Sequence, residues 1–332
     1  MRIGLLQFAP RLGDIRANLD HIVHSLSQIR ADLVVLPELC TTGYMFASRS
    51  EVTRLSEPVP SGPTCTTMAK LSRDTKSTIV WGMPERAGMR VFNSAVMVTP
   101  QGVFHVYHKA HLFVDEKDSF DRGDSPFPVF DVGLVKVGML VCFDHFFPEA
   151  ARSLALHGAQ VICHPSNLVL EYAHTNSVTR AVENRVFWIL ANRTGSETLG
   201  EKTLTFNGRS QIVAPDGRLL GRAGPDSEET LIAELDPTEA LDKKVTPRND
   251  LFLDRRTDLY SAWARSSGHV AADRSLIDSQ RFYATISWLT VRQATGREWL
   301  GVPASVGSST AFPHAAGHVI PTLTVSEMQN YL

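Results

Sequence analysis

The first 37 residues leave few folds open. Residues 3–8 are an apolar run of strand length, Asp14 offers an N-cap, and Ile15, Leu19, Ile22, Val23, Leu26 and Ile29 follow at spacings of three and four. Residues 32–37, DLVVLP, form a second apolar strand. Strands joined through a helix lie parallel, and a parallel sheet needs cover on both faces, so an α/β layered fold is expected. The pattern returns in the second half. KVGMLV at residues 136–141 reads as a strand, a helix opens at Phe147-Pro148 and runs to about His157, and a strand spans residues 159–164 before the loop Pro165-Ser166-Asn167. A helix over about 175–185 then feeds a strand at 186–192. Residues 91–98 and 103–107 flank TPQG as a hairpin, and residues 210–213 and 218–220 flank PDG. Two sheets, each covered by helices on one face and packed against the other sheet, would use all of these elements.

Three chemically interesting residues each end a strand: Glu38, Lys109 and Cys142. Taken singly, each has a plain explanation as a solvated carboxylate, a surface lysine and an inert buried thiol. In a layered α/β fold, however, strand ends converge at one edge, where ligands bind. Cys142 also sits in a strand-to-helix turn, where following N–H groups point to a place an oxyanion can form. A carboxylate can take a thiol proton, an ammonium can stabilise developing negative charge, and the thiolate can attack a carbonyl or nitrile carbon. Residues 114–128 are polar, and their composition suits an exposed loop near a pocket mouth.

Composition narrows the class. The 332 residues carry a net charge of -2 with 20% charged residues and no basic run, so no nucleic-acid or anionic-membrane partner is expected. No stretch reaches the ~18 to 20 apolar residues of a membrane span. MRIGLLQFAP enters a strand without the apolar core of a leader, and a soluble, cytoplasmic protein is expected. Cys40, Cys65, Cys142 and Cys163 lack the spacing of a zinc site or a disulfide framework.

The segments PELCTTGY, YHKAHLF and LVCFDHFFPEAAR, in that order, resemble those of the nitrilase superfamily, the carbon–nitrogen hydrolases with a Glu-Lys-Cys triad. FNSAVM, the FDRGD loop, HPSNL, RAVENRVF and ANRTG support the likeness, which covers residues 1–260. The resemblance implies a four-layer α-β-β-α sandwich, no metal and no organic cofactor. It implies Glu38 as general base, Lys109 as oxyanion stabiliser, Cys142 as nucleophile and the Phe143 N–H as second oxyanion donor. Glu116 falls where many members carry a second glutamate. Tyr44 and Asn167 are pocket-wall candidates, while Glu183, with Asn184 and Arg185, reads as structural. Phe143, Phe146 and Phe147 with His145 suggest a compact, partly apolar substrate site.

The expected activity is hydrolysis of a small nitrile or amide through a cysteine thioester. N-carbamoyl amine hydrolysis or acyl transfer by the same triad is the alternative, and a catalytically silent scaffold is another. A homodimer or higher homo-oligomer is the expected assembly. Residues 261–332 contain no lysine and three of the five tryptophans, and are expected to be a C-terminal extension of low order and unknown role beyond a hydrolase domain at 1–260.

Overall fold

A computed structural model describes residues 1–260 of the chain. The expected extension at 261–332 lies outside the described residues.

Strand β1 (Arg2–Gln7), helix α1 (Ile15–Ser27) and strand β2 (Leu33–Val35) form the opening unit, with Asp14 capping α1 by accepting from the Ala17 N–H. Helices α2 (Arg49–Leu55) and α3 (Pro63–Thr75) follow, then β3 (Thr78–Ala87), β4 (Arg90–Val98) and β5 (Phe104–His108). After the short helix α4 (Glu116–Ser119) come β6 (Val129–Asp131), β7 (Lys136–Met139), a 3-10 turn at Cys142–Phe146 and α5 (Pro148–Leu156). Strand β8 (Val161–Ser166), helix α6 (Tyr172–Asn184) and strand β9 (Phe187–Asn192) complete the repeat. Hairpin β10 (Ser196–Leu199) and β11 (Lys202–Thr205) precedes β12 (Gln211–Val213), β13 (Leu219–Arg222) and β14 (Glu229–Glu234).

Two six-stranded sheets result, ordered β14-β1-β2-β3-β4-β5 and β13-β12-β9-β8-β7-β6. The β1, β2 and β3 strands are parallel, as are β7, β8 and β9. Side-chain alternation then builds the layers. Leu33 and Val35 of β2 join Ile3, Leu5 and Val80 against Val137, Val161 and Ile189 of the other sheet. Val34, between them, points the other way with Ile79 and Trp81, into Ile22 and Leu26 of α1 and Met68 and Leu71 of α3. Helices α5 and α6 cover the second sheet, where Gly138 leaves room for Leu154: a Cβ there would lie 2.9 Å from its Cδ1. This is the expected α-β-β-α sandwich.

Two local expectations change. Pro165 and Ser166 belong to β8 rather than to a loop, paired with Ala191 and Asn192. β7 stops pairing at Met139 with Cys163, so beyond that point β8 has a free side that tolerates a proline without an N–H. The segment 114–128 is not simply an exposed loop. Glu116 and Phe120 are buried, and two of the aspartates are ion-paired, Asp121 to Arg49 at 2.5 Å and Asp124 to Arg90 at 2.7 Å.

One compact unit spans Met1–Asp254, and a second begins at Arg255. Of the second, residues 255–260 are described: a 3-10 turn at Thr257–Leu259, with the Arg256 N–H donating to the Tyr260 hydroxyl at 3.1 Å.

Candidate active site

Glu38 follows β2 after Leu36 and Pro37, and its position depends on a close approach by β3. The Gly82 N–H donates to the Pro37 carbonyl, and the Cys40 N–H donates to the Gly82 carbonyl, both at 3.0 Å. A Cβ on Gly82 would lie 2.4 Å from Glu38 Cα, so only glycine lets the strand come this near. Leu39, next in the chain, is held at φ +47°, a strained value for a residue with a side chain. The turn carries the Glu38 carboxylate into the interior, where it is fully buried rather than solvated.

Lys109 leaves the end of β5, also buried. Its Nζ donates to Glu38 Oε1 at 2.8 Å and to Glu116 Oε1 at 2.7 Å. Gly123 secures the backbone beneath it, its N–H donating to the Lys109 carbonyl at 3.0 Å. Glu116 accepts further hydrogen bonds from the Tyr44 hydroxyl at 2.8 Å and the Phe113 N–H at 3.1 Å. Glu38 accepts one from Asn93 Nδ2 at 2.7 Å on the same Oε1, while Oε2 is buried without a partner. The cluster is thus one ammonium between two carboxylates, with a single carboxylate oxygen left open.

Cys142 occupies the turn between β7 and α5, buried, at φ +43°. Asp144 braces that turn. One of its oxygens accepts from the Val141 N–H at 3.0 Å and the Tyr107 hydroxyl at 2.9 Å, and the other from the His111 N–H at 3.0 Å. Tyr107 lies on β5, so Asp144 ties the lysine strand of one sheet to the cysteine turn of the other. The thiol Sγ lies 3.9 Å from the Asn167 carbonyl.

The electrostatics follow from burial. Desolvation pushes the Cys142 thiol well above its ordinary range, reinforced by Glu38 and opposed by Lys109, so the resting thiol is protonated. Burial works against the Lys109 charge, but Glu116 and Glu38 outweigh it and hold the ammonium above its usual pKa. Burial also raises the Glu116 carboxyl, with Lys109 pulling the other way and Glu38 adding to the rise. Tyr44 is raised by burial and by Glu116, and stays a donor.

Of the residues expected at the site, Glu38, Lys109, Glu116 and Tyr44 form one hydrogen-bonded cluster, and Cys142 lies within its electrostatic reach. Asn167 is buried, with neither side-chain polar atom paired. Phe143 begins an aromatic wall, with ring centroids 5.1 Å from Phe113, 5.2 Å from Phe146 and 5.5 Å from Phe147. His145 turns toward α6 instead. Its Nδ1 pairs with Asn176 Nδ2 at 3.1 Å, and burial lowers its pKa to about 2, so it stays neutral and supports the wall. Glu183 pairs with Arg180 on α6, as a structural residue would.

Three contributors were not singled out from sequence. Asn93 holds Glu38, and its only signal was its place in FNSAVM. Glu197, on β10, is buried, ion-paired with Arg193, and accepts from the Tyr44 N–H at 2.9 Å and the Met45 N–H at 2.8 Å. It fixes the loop that aims Tyr44 at Glu116, yet a lone glutamate in a short polar hairpin carries no pattern. His164, hydrogen-bonded to the Cys142 carbonyl at 2.8 Å, had no signal beyond its place in HPSNL. Among the described residues, no group of three or more His, Cys, Asp or Glu is arranged to hold a metal ion, and no helix is long and apolar enough to cross a membrane.

A four-layer sandwich with these sheet-edge groups defines the class as the nitrilase superfamily. The Carbon-nitrogen hydrolase family model matches residues 2–242, and the chain belongs to that family. It is 41% identical over 263 residues to a nitrilase from Pyrococcus abyssi, covering 78% of this chain and 99% of the relative. With an (R)-stereoselective amidase from a Pseudomonas species it shares 35% over 255 residues, 75% of this chain and 89% of the relative. Among solved structures it is similar to a mutant amidase from Nesterenkonia sp. AN1 bearing the product of acrylamide addition at its active-site cysteine. That likeness has a TM-score of 0.65 at 29% identity, covering 79% of this chain and 99% of the other. The protein is accordingly a carbon–nitrogen hydrolase of the nitrilase/amidase type.

Proposed function

We propose that this protein hydrolyses a small primary amide or nitrile through a thioester on Cys142, releasing ammonia and a carboxylic acid. The observation that carries the reading is the open, buried Glu38 Oε2 in a cluster whose thiol rests protonated. A neutral thiol needs a base in the attacking step, and Glu38 is the base with an oxygen free to receive the proton.

Glu38 takes the thiol proton as Sγ attacks the electrophilic carbon. For an amide, the carbonyl oxygen becomes an oxyanion, stabilised by the Lys109 ammonium and the Phe143 N–H. Glu38 returns the proton to the leaving nitrogen, ammonia departs, and the thioester remains. Water then attacks, giving its proton to Glu38, and as the carbon–sulfur bond breaks and the acid is released Glu38 returns that proton to Cys142 Sγ, restoring the resting thiol. A nitrile forms a thioimidate first, and one water converts it to the same thioester with loss of ammonia. Glu116 and Tyr44 hold Lys109 in place, while Asn167 and the Phe143 wall contact the substrate.

The four cysteines are free and buried, in keeping with a reducing cytoplasm, and we assign the protein there as a homodimer or larger homo-oligomer. The test is ammonia release across short nitriles, primary amides and N-carbamoyl amines, with hydroxylamine added in parallel to intercept acyl transfer. Turnover of an amide or nitrile to acid and ammonia is expected. Cleavage of carbamoyl amines alone, or product formed only with the added nucleophile, would replace the reading.

A further inference from the structure

His164 lies on β8, fully buried beside the cysteine turn. Its Nε2 is 2.8 Å from the Cys142 carbonyl oxygen and 3.2 Å from Ser166 Oγ. On the opposite edge of the ring, Trp188 Nε1 donates to Nδ1 at 3.1 Å. An indole N–H can only donate, so Nδ1 must be the bare acceptor and Nε2 must carry the hydrogen. Burial keeps the ring neutral, lowering its pKa to about 4, so this tautomer is the resting one. The Nε2–H therefore donates to the Cys142 carbonyl. Ser166 turns its own hydroxyl hydrogen to the His164 carbonyl at 3.3 Å, leaving its oxygen free to share the same donor.

The carbonyl so held is no ordinary one. Cys142 is at φ +43°, a backbone state disfavoured for a residue with a side chain, and it persists only where neighbours enforce it. The peptide joining Cys142 to Phe143 is a rigid planar unit, with the Cys142 C=O and the Phe143 N–H on opposite edges. Anchoring the carbonyl fixes the direction of that N–H. Drawing electron density toward the carbonyl oxygen also makes the N–H a stronger donor.

We propose that His164 is a positioning residue for the hydrolytic reaction: its Nε2–H, in the tautomer selected by Trp188, locks the Cys142–Phe143 peptide and aims the Phe143 N–H at the developing oxyanion. The inference rests on Cys142 as nucleophile and Phe143 as oxyanion donor, the reading given above.

Three variants of the full-length chain separate this role from packing. Glutamine can set an amide nitrogen near the Nε2 position, asparagine reaches only the Nδ1 position, and leucine supplies no donor. His164→Asn and His164→Leu should lose about 10²-fold in kcat, the scale of a lost oxyanion donor, with KM little changed. His164→Gln should recover most of the loss. Rescue by glutamine but not by leucine, which fills similar space without a donor, is an outcome that packing would not produce; where leucine fails to fold, methionine, unbranched like glutamine and donor-free, takes its place. Wild-type kcat in His164→Asn, glutamine no better than asparagine, or a loss confined to KM would each overturn the proposal. Cys142→Ala, assayed alongside, keeps the two readings apart. An active Cys142→Ala removes the nucleophile assignment and this inference with it, whereas a dead Cys142→Ala beside a fully active His164→Leu removes the inference alone.

Discussion

Glu38 Oε1 is shared by Asn93 and Lys109, whereas Oε2 has no partner in the interior. Leaving a buried polar atom unpaired costs about 1–3 kcal/mol, and more for a charged group, so the resting protein carries that cost at the oxygen that receives the thiol proton in the proposed mechanism. Glu38→Gln preserves size and removes the base; kcat should fall about 10²-fold or more. An altered KM with kcat intact would assign Glu38 to binding instead. Glu116 has a separate signature. Burial pushes its carboxyl up to about 7, Lys109 opposing, so the cluster takes up a proton as pH falls through neutrality. Activity that needs an ionised cluster is then lost on the acid side of that range. Glu116→Gln deletes this titration and its negative charge, so the acid limb of kcat/KM should move down by about one pH unit or more, on a lowered plateau. An unmoved limb would separate Glu116 from the reaction.

At the scale of elements, the site is a meeting of strand ends, and this much is legible in the sequence. The apolar runs before Glu38 and Cys142 are strongly patterned, and the hairpin before Lys109 has clear turn residues, so all three could be placed at strand exits. Burial of Glu38 and Glu116 could not be read, because polar loops look alike whether their acids face water or an internal lysine. Glu197 was hidden by the alternating polar composition of β10 and β11, and the role of His164 by Pro165, which reads as the end of a strand. Gly82 is the position at which element packing and chemistry meet. Gly82→Ala forces a Cβ against Glu38 Cα, and should cost about 1–3 kcal/mol of stability by overpacking while displacing the carboxylate. A lowered melting temperature together with impaired kcat is expected. A variant with both at wild-type values would mean that the strand and the Glu38 turn separate easily.

For the whole molecule, the family match ends at residue 242, while the chain runs to 332. The residues beyond Tyr260 include Trp263, Trp288 and Trp299 but no lysine, a composition suited to covering apolar surface. Truncation after Tyr260 should retain ammonia release and change self-association, measured by light scattering. Inactive or insoluble truncated protein would make the extension part of the fold, and unchanged size would make it dispensable. The central claim concerns the nucleophile, and the most direct measurement is ammonia release by full-length Cys142→Ala, with folding checked by its thermal melt. The account predicts a wild-type-like melt and turnover reduced by about 10⁴-fold or more, because a substituted nucleophile leaves only binding and oxyanion stabilisation. Near-wild-type ammonia release from a folded Cys142→Ala would contradict it.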